Sequence, residues 1–122
     1  MTVAIIGASS DRNKFGNKSL RAHAARGFRV FPVNLHEKEI EGHRAYAKVT
    51  DIPEALDRIS VYLPPDKTLA VLEDIAAKSA AEIFFNPGSE SEEVVRRARE
   101  LGIEPLLACS IIDIGETPAD YR

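Results

Sequence analysis

Cysteine occurs once in the 122 residues, at Cys109, and tryptophan not at all. A single thiol excludes an internal disulfide and any multi-cysteine metal site, and it suits a reducing compartment. Long apolar runs are missing too. No segment approaches the roughly 20 residues that span a bilayer, and with the first apolar run starting at Val3 no signal peptide is expected. A cytoplasmic location without a membrane partner follows as the expectation. Neither sign of charge dominates: 16 Lys and Arg are interspersed with 19 Asp and Glu, for a net charge of −3. No basic footprint therefore argues for nucleic acid, and a small molecule is the expected partner. The three histidines, His23, His36 and His43, are scattered, and His36 and His43 lack the closely spaced carboxylate or cysteine companions of a metal centre, so no metal is expected. His23 falls on the expected exposed face of the first helix.

What is present is an alternation of strands and helices, ordered around the stretch Val3-Ala4-Ile5-Ile6-Gly7-Ala8-Ser9-Ser10. The apolar run is β-branched and has no period-2 alternation, which marks a strand covered on both faces, as in a parallel sheet. A helix is predicted over Asn17 to Arg26, stopped by Gly27. Phe28 to Asn34 is the second strand, a βαβ length beyond the first. Leu35 to Thr50 is polar and irregular, with one short edge strand expected around Arg44 to Ala47. Asp51 and Glu54 have capping-box spacing for one helical turn carrying Ile52 and Leu56. Ile59 to Leu63 is the third main strand, closed by Pro64-Pro65, and Asp66 is the expected cap of a helix buried through Leu69, Leu72, Ile75 and Ala76. Ile83-Phe84-Phe85 is the fourth strand. Ser89 and Glu92 have capping-box spacing for a helix buried through Val94, Val95, Ala98 and Leu101. Pro105 to Ala108 is the last strand, and Cys109 to Arg122 receives no element. The pattern implies one doubly wound, Rossmann-like α/β domain over residues 1–122, a parallel sheet of about five to six strands with helices on both faces.

In such a sheet ligands gather outside the carboxyl ends of the strands. The loops to consider are Gly7-Ala8-Ser9, Val33-Asn34, Leu63-Pro64-Pro65, Asn86-Pro87-Gly88 and Cys109. A strand, a glycine turn and a helix start make a candidate anion site, because backbone N–H groups and the helix dipole converge there. Neither G-x-G-x-x-G nor G-x-x-x-x-G-K-[ST] is present, since Gly7 and Gly16 are too far apart. An NAD site favours a carboxylate at the end of the second strand. Asn34 stands there, and His36, Lys38, His43 and Arg44 nearby suit an extra phosphate better than a bare ribose, although Glu37, Glu39 and Glu41 temper the field.

The ordered landmarks Gly7-Ala8-Ser9, Lys14-Phe15-Gly16-Asn17, Gly27 to Asn34, Ile40-Glu41-Gly42, Asp51-Ile52-Pro53, Leu63-Pro64-Pro65, Pro87-Gly88 and Cys109 resemble the small bacterial CoA-binding-domain proteins. That family is in turn similar to the amino-terminal domain of the succinyl-CoA synthetase α-subunit. The resemblance spans nearly the whole chain, although Leu35 replaces a frequent proline and Asn86 a frequent glutamine. It implies that coenzyme A or an acyl-CoA lies across the strand ends. Gly7, Ala8, Ser9 and the helix start at Gly16 would meet the pyrophosphate with Lys14 as a point charge; Pro32, Val33 and Asn34 would border the adenosine. Leu63 and Pro64 would pack on the adenine or the chain leaving it, and Asn86, Pro87 and Gly88 would line the pantetheine.

No catalytic constellation accompanies these residues. Ser9 and Ser10 are not in G-x-S-x-G, and since the synthetases that the chain resembles pass the acyl group through a phosphohistidine on a separate domain, ligase activity by this chain alone is not expected. The expectation is a non-catalytic CoA-binding module, acting as a cofactor sensor or presenting the cofactor to a protein partner. The alternatives are a small NAD(P)- or other nucleotide-dependent enzyme and a redox-sensing Rossmann module. Cys109 has two readings, a small buried hydrophobe at a strand end or a pocket thiol able to exchange with the ligand's own thiol.

Overall fold

The computed structural model describes residues 1–122. In chain order the elements are β1 (Thr2–Ile6), α1 (Phe15–Ala25), β2 (Arg29–Val33), β3 (Glu39–Ile40), β4 (His43–Arg44), a 3₁₀ turn (Val49–Asp51), β5 (Arg58–Val61), α2 (Pro65–Lys78), β6 (Glu82–Phe85), α3 (Glu92–Glu100), β7 (Pro105–Leu106), α4 (Ser110–Asp113) and a second 3₁₀ turn (Pro118–Asp120). Five strands form one parallel sheet in the order β2-β1-β5-β6-β7, and β3 with β4 makes a separate two-stranded hairpin. No helix is long and apolar enough to cross a membrane. The expected α/β architecture is therefore present, with strand order reversing between β1 and β5.

Alternation along the strands divides the core in two. Ala4, Ile6, Phe31, Val33, Ile59, Val61, Ile83 and Phe85 face one way and meet Leu72 and Ile75 of α2 and Val94 and Ala98 of α3, in a single apolar cluster. Val3, Ile5 and Val30 face the other way and meet Leu20 of α1. That second face turns polar beyond β1. Ser60 Oγ and Ser110 Oγ share a 2.7 Å hydrogen bond, Tyr62 Oη lies 2.9 Å from Ser110 Oγ, and Asn86 Nδ2 donates to Ser60 Oγ at 2.8 Å. The Arg58 guanidinium lies over the rings of Phe84 and Phe28 and donates to Glu82 and Asp113. Each outer strand contains a proline, Pro32 in β2 and Pro105 in β7, in keeping with the confinement of proline to sheet edges.

Several local expectations change. The Asp51–Glu54 turn does not form; the 3₁₀ turn ends at Asp51, and Ile52 is extended (φ −72°, ψ 121°) because it precedes Pro53, which disfavours helical backbone. Ile52 and Leu56 are buried all the same. The expected edge strand at 44–47 is instead the hairpin strand β4 followed by a bridge from Tyr46 to Val33. Pro64, not Asp66, is the N-cap of α2, with Pro65 at its first turn, where the missing N–H costs nothing. Ser91 rather than Ser89 caps α3, its Oγ accepting from Val94 N–H at 3.1 Å, while Ser89 Oγ donates to the Asn86 carbonyl. The last strand stops at Leu106, and the unassigned tail forms α4 and the second 3₁₀ turn.

His23 is the largest correction, because it is buried rather than on the exposed face. Gly16, Ser19, Leu20 and His23 make the inward stripe of α1, and Ala24 and Ala25 take the exposed positions. The His23 ring meets Phe28 edge-on at 5.0 Å, and its Nδ1 is 2.8 Å from the Ser19 carbonyl. Burial lowers its pKa from 6.5 to about 4. The unfolded chain thus binds a proton that the folded chain refuses, so stability falls as pH drops from about 6.5 through about 4, by roughly 3 kcal/mol in all. A His23→Leu variant is expected to show a flat thermal midpoint between pH 6.5 and 4.5, where the wild type declines; an unchanged decline would place the titrating group elsewhere.

Candidate functional site

Reversal of strand order between β1 and β5 opens a crevice where helices leave opposite faces of the sheet. The chain closes the floor of that crevice with backbone. Gly7 follows β1 at φ +91°, and a Cβ on it would sit 2.4 Å from the Tyr62 carbonyl oxygen. Tyr62 N–H donates to the Ile6 carbonyl at 2.8 Å, and Gly7 N–H donates to the Val33 carbonyl at 3.2 Å. Three strand ends are thereby tied at one point. Gly16, in the first turn of α1, lies equally close on the other side: its Cβ would sit 2.4 Å from the Gly7 carbonyl oxygen.

Side chains then fix the loop. Asn34 Nδ2 donates to the Ala8 carbonyl at 2.9 Å, while Asn34 Oδ1 accepts from the N–H groups of His36 and Glu37 at 2.8 and 2.9 Å. Buried Asn17 donates to the Ser9 carbonyl at 2.8 Å and accepts from Arg21 Nε at 2.7 Å. Ser9 Oγ accepts from Asp11 N–H at 3.0 Å.

What remains unpaired is the useful part. Lys14 is the N-cap of α1 and supplies no side-chain cap, and the N–H groups of Phe15, Gly16 and Asn17 have no acceptor within the chain. The N–H groups of Ala8 and Ser9 are likewise free. Five backbone donors at the positive end of a helix suit an anion, and Lys14 is exposed beside them. Two carboxylates already lean on this loop. Glu37 accepts from Ser10 N–H at 3.0 Å, and those Ser10 contacts hold its carboxyl below the usual range. Glu41 accepts from Asn17 Nδ2 at 3.2 Å and pairs with Arg12 at 3.3 Å.

Of the expected site residues, Gly7, Ala8, Ser9, Lys14, Gly16 and Asn34 meet in this loop, with Leu63 beside Gly7. Pro64 follows at the exposed start of α2. Pro32 and Val33 are buried, so their side chains belong to the sheet and only backbone reaches the rim. Asn86 is also buried, with Nδ2 on Ser60 Oγ and the Val61 carbonyl and Oδ1 accepting from Ser110 N–H. That amide locks β5, β6 and α4 together through these three bonds. Pro87 and Gly88 are exposed at the β6 exit, and Cys109 is a half-buried free thiol at the start of α4. Glu37 was met in the sequence only as a charge tempering the basic residues near Asn34, Asn17 only as a landmark without a role, and Arg21 was not singled out for the loop. The signal for Glu37 lay in its spacing, because an Asn three residues upstream turns the chain back through its own side chain.

The parallel sheet, its reversal at a glycine loop and the open helix start define a Rossmann-like chain. Residues 1–114 match the family model described as the CoA binding domain, and the chain belongs to that family. It is similar to the α-subunit of acetate–CoA ligase (ADP-forming) II from Pyrococcus furiosus, 33% identical over 81% of this chain and 22% of that protein. The α-subunit of acetate–CoA ligase (ADP-forming) I from the same organism is 28% identical over 97% of this chain and 29% of that one. The chain thus spans under a third of the length of either relative. Among solved structures, a conserved hypothetical protein from Pyrococcus furiosus superposes with a TM-score of 0.84 at 33% identity, over 92% of this chain and 97% of the other. An acetyl-coenzyme A synthetase of Ca. Korarchaeum cryptofilum, in complex with phosphate and ADP, gives 0.76 at 32% identity, over 88% and 25%.

Helix propensity alone makes Gly16→Ala a gain of about 1 kcal/mol. The 2.4 Å approach to a backbone oxygen reverses the sign, and Gly16→Ala is expected to lose roughly 2 kcal/mol in urea unfolding. Stability equal to or above wild type would show that the loop yields and is not fixed by this contact.

Proposed function

We propose that this chain is a non-catalytic binding module for coenzyme A or an acyl-CoA, working as one unit over residues 1–122. The observation that carries this reading is the set of five unpaired N–H groups on Ala8, Ser9, Phe15, Gly16 and Asn17, at the point where strand order reverses. The residues fit the ligand's charged part. Two glycines whose Cβ atoms have no room let backbone donors approach a diphosphate, and Lys14 adds a mobile positive charge. Adenosine would follow the rim made by Val33 backbone and Asn34. The pantetheine arm would run past Leu63 and Pro64 toward Pro87 and Gly88, with Cys109 at the far end.

The names of the relatives support the ligand class, since those proteins are acetate–CoA ligases. Nothing in the loop supplies an acid–base pair or a nucleophile, so holding the cofactor is the reading of this chain's role, as sensor or as carrier to a protein partner in the cytoplasm. Binding at a free ligand concentration about 100 times the dissociation constant adds roughly 2.7 kcal/mol, a rise on the order of 10 °C for a domain this size. Protein refolded from denaturant to remove carried-over ligand is expected to show that rise with CoA and acetyl-CoA and not with NAD, NADP or ATP. A shift with NAD(P) alone would instead favour a nicotinamide-dependent enzyme.

A further inference from the structure

The loop that offers free donors is partly occupied by the protein itself. Three consecutive N–H groups line it, on Ala8, Ser9 and Ser10; the first two are unpaired and the third donates to Glu37 Oε2 at 3.0 Å. The same oxygen lies 3.4 Å from Asn34 Nδ2. Glu37 is aimed there by the turn that Asn34 makes, in which its N–H donates to Asn34 Oδ1. The side chain is only half-buried, so it can leave without opening the core. A carboxylate on a backbone N–H is chemically a stand-in for a phosphate oxygen.

We infer that Glu37 is an internal competitor for the ligand's phosphate, holding Ser10 N–H in the free protein and giving it up when CoA binds. The inference rests on the proposed CoA site and adds a regulation to it. A phosphate on the Ala8 and Ser9 donors would stand next to a carboxylate that keeps its charge, and the two repel. The carboxylate therefore swings out when the phosphate takes the Ser10 donor, and the observed affinity is lowered by the fraction of molecules in which Glu37 is docked. Because Asn34 both aims Glu37 and clamps the Ala8 carbonyl, docking and loop geometry are set by one amide.

The test is calorimetric titration of CoA, and separately of inorganic pyrophosphate, into wild type and Glu37→Gln at equal ionic strength. The amide keeps the size and a hydrogen-bond acceptor while removing the charge. Glu37→Gln is expected to bind both probes about tenfold more tightly, with a control Glu104→Gln, outside the loop, unchanged. Equal affinity would overturn the competition, and weaker binding by Glu37→Gln would make Glu37 a latch that shapes the loop for the ligand. CoA binding by neither protein would overturn the CoA site itself, a result distinct from the other two. An unchanged thermal midpoint in the ligand-free variant would confirm that the comparison is between two folded proteins.

Discussion

The contact between the Gly7 backbone and the Tyr62 carbonyl sets the rest of the site. No side chain fits between them, so β1 and β5 stay at sheet spacing past their last paired residues, and the chain must leave β1 through a left-handed residue. That departure throws Ala8 and Ser9 over the end of the sheet. Gly16 repeats the condition one layer out, pressing the first turn of α1 against the Gly7 carbonyl. Strand end, loop and helix start are therefore one backbone unit, and the free donors are a product of its closeness. Side chains could not build the same surface, because each would add a Cβ where there is no space.

The sheet's two faces perform different tasks. Under α2 and α3 the packing is mainly apolar, drawing on valine, isoleucine and phenylalanine from four strands. On the other face α1 packs through Leu20 on Val3, Ile5 and Val30, while toward α4 the packing becomes a chain of hydroxyls and one amide in which Asn86, Ser60, Ser110 and Tyr62 satisfy one another. Burial raises the Tyr62 hydroxyl pKa, so it stays protonated and able to donate. Directional bonds of this kind specify position more tightly than apolar contact does. They sit beneath the strand ends that must keep register, while the apolar face supplies bulk cohesion.

The first strand was legible as a short β-branched run stopped by glycine, and the alternation of apolar runs with helical segments implied the parallel sheet. Boundaries failed where a neighbour's backbone preference overrode a capping pattern, as Pro53 does for Ile52. His23 failed because a histidine counts as polar in a periodicity, although its spacing from Gly16, Ser19 and Leu20 placed it on the inner stripe. The candidate loop was legible at Gly7 and Gly16. The donors' freedom was not, since it depends on which carbonyls and carboxylates come within reach across the fold. Asn34 and Asn86 show the limit most clearly: both stood at strand ends where a ligand is expected, and both spend their amides on the protein.

The prolines in the two outer strands bear on how the molecule meets others of its kind. A sheet grows by backbone pairing along an exposed edge, the route to fibrils and misassembly. Here Pro32 presents no donor, its carbonyl is already taken by Tyr46 N–H at 2.9 Å, and β7 is two residues long and begins with Pro105. Neither border offers a ladder to a passing strand. Growth of the five-stranded sheet by backbone pairing is thereby disfavoured at both borders, which leaves side-chain surfaces, where sequence can choose the companion, as the better route to a contact with another chain.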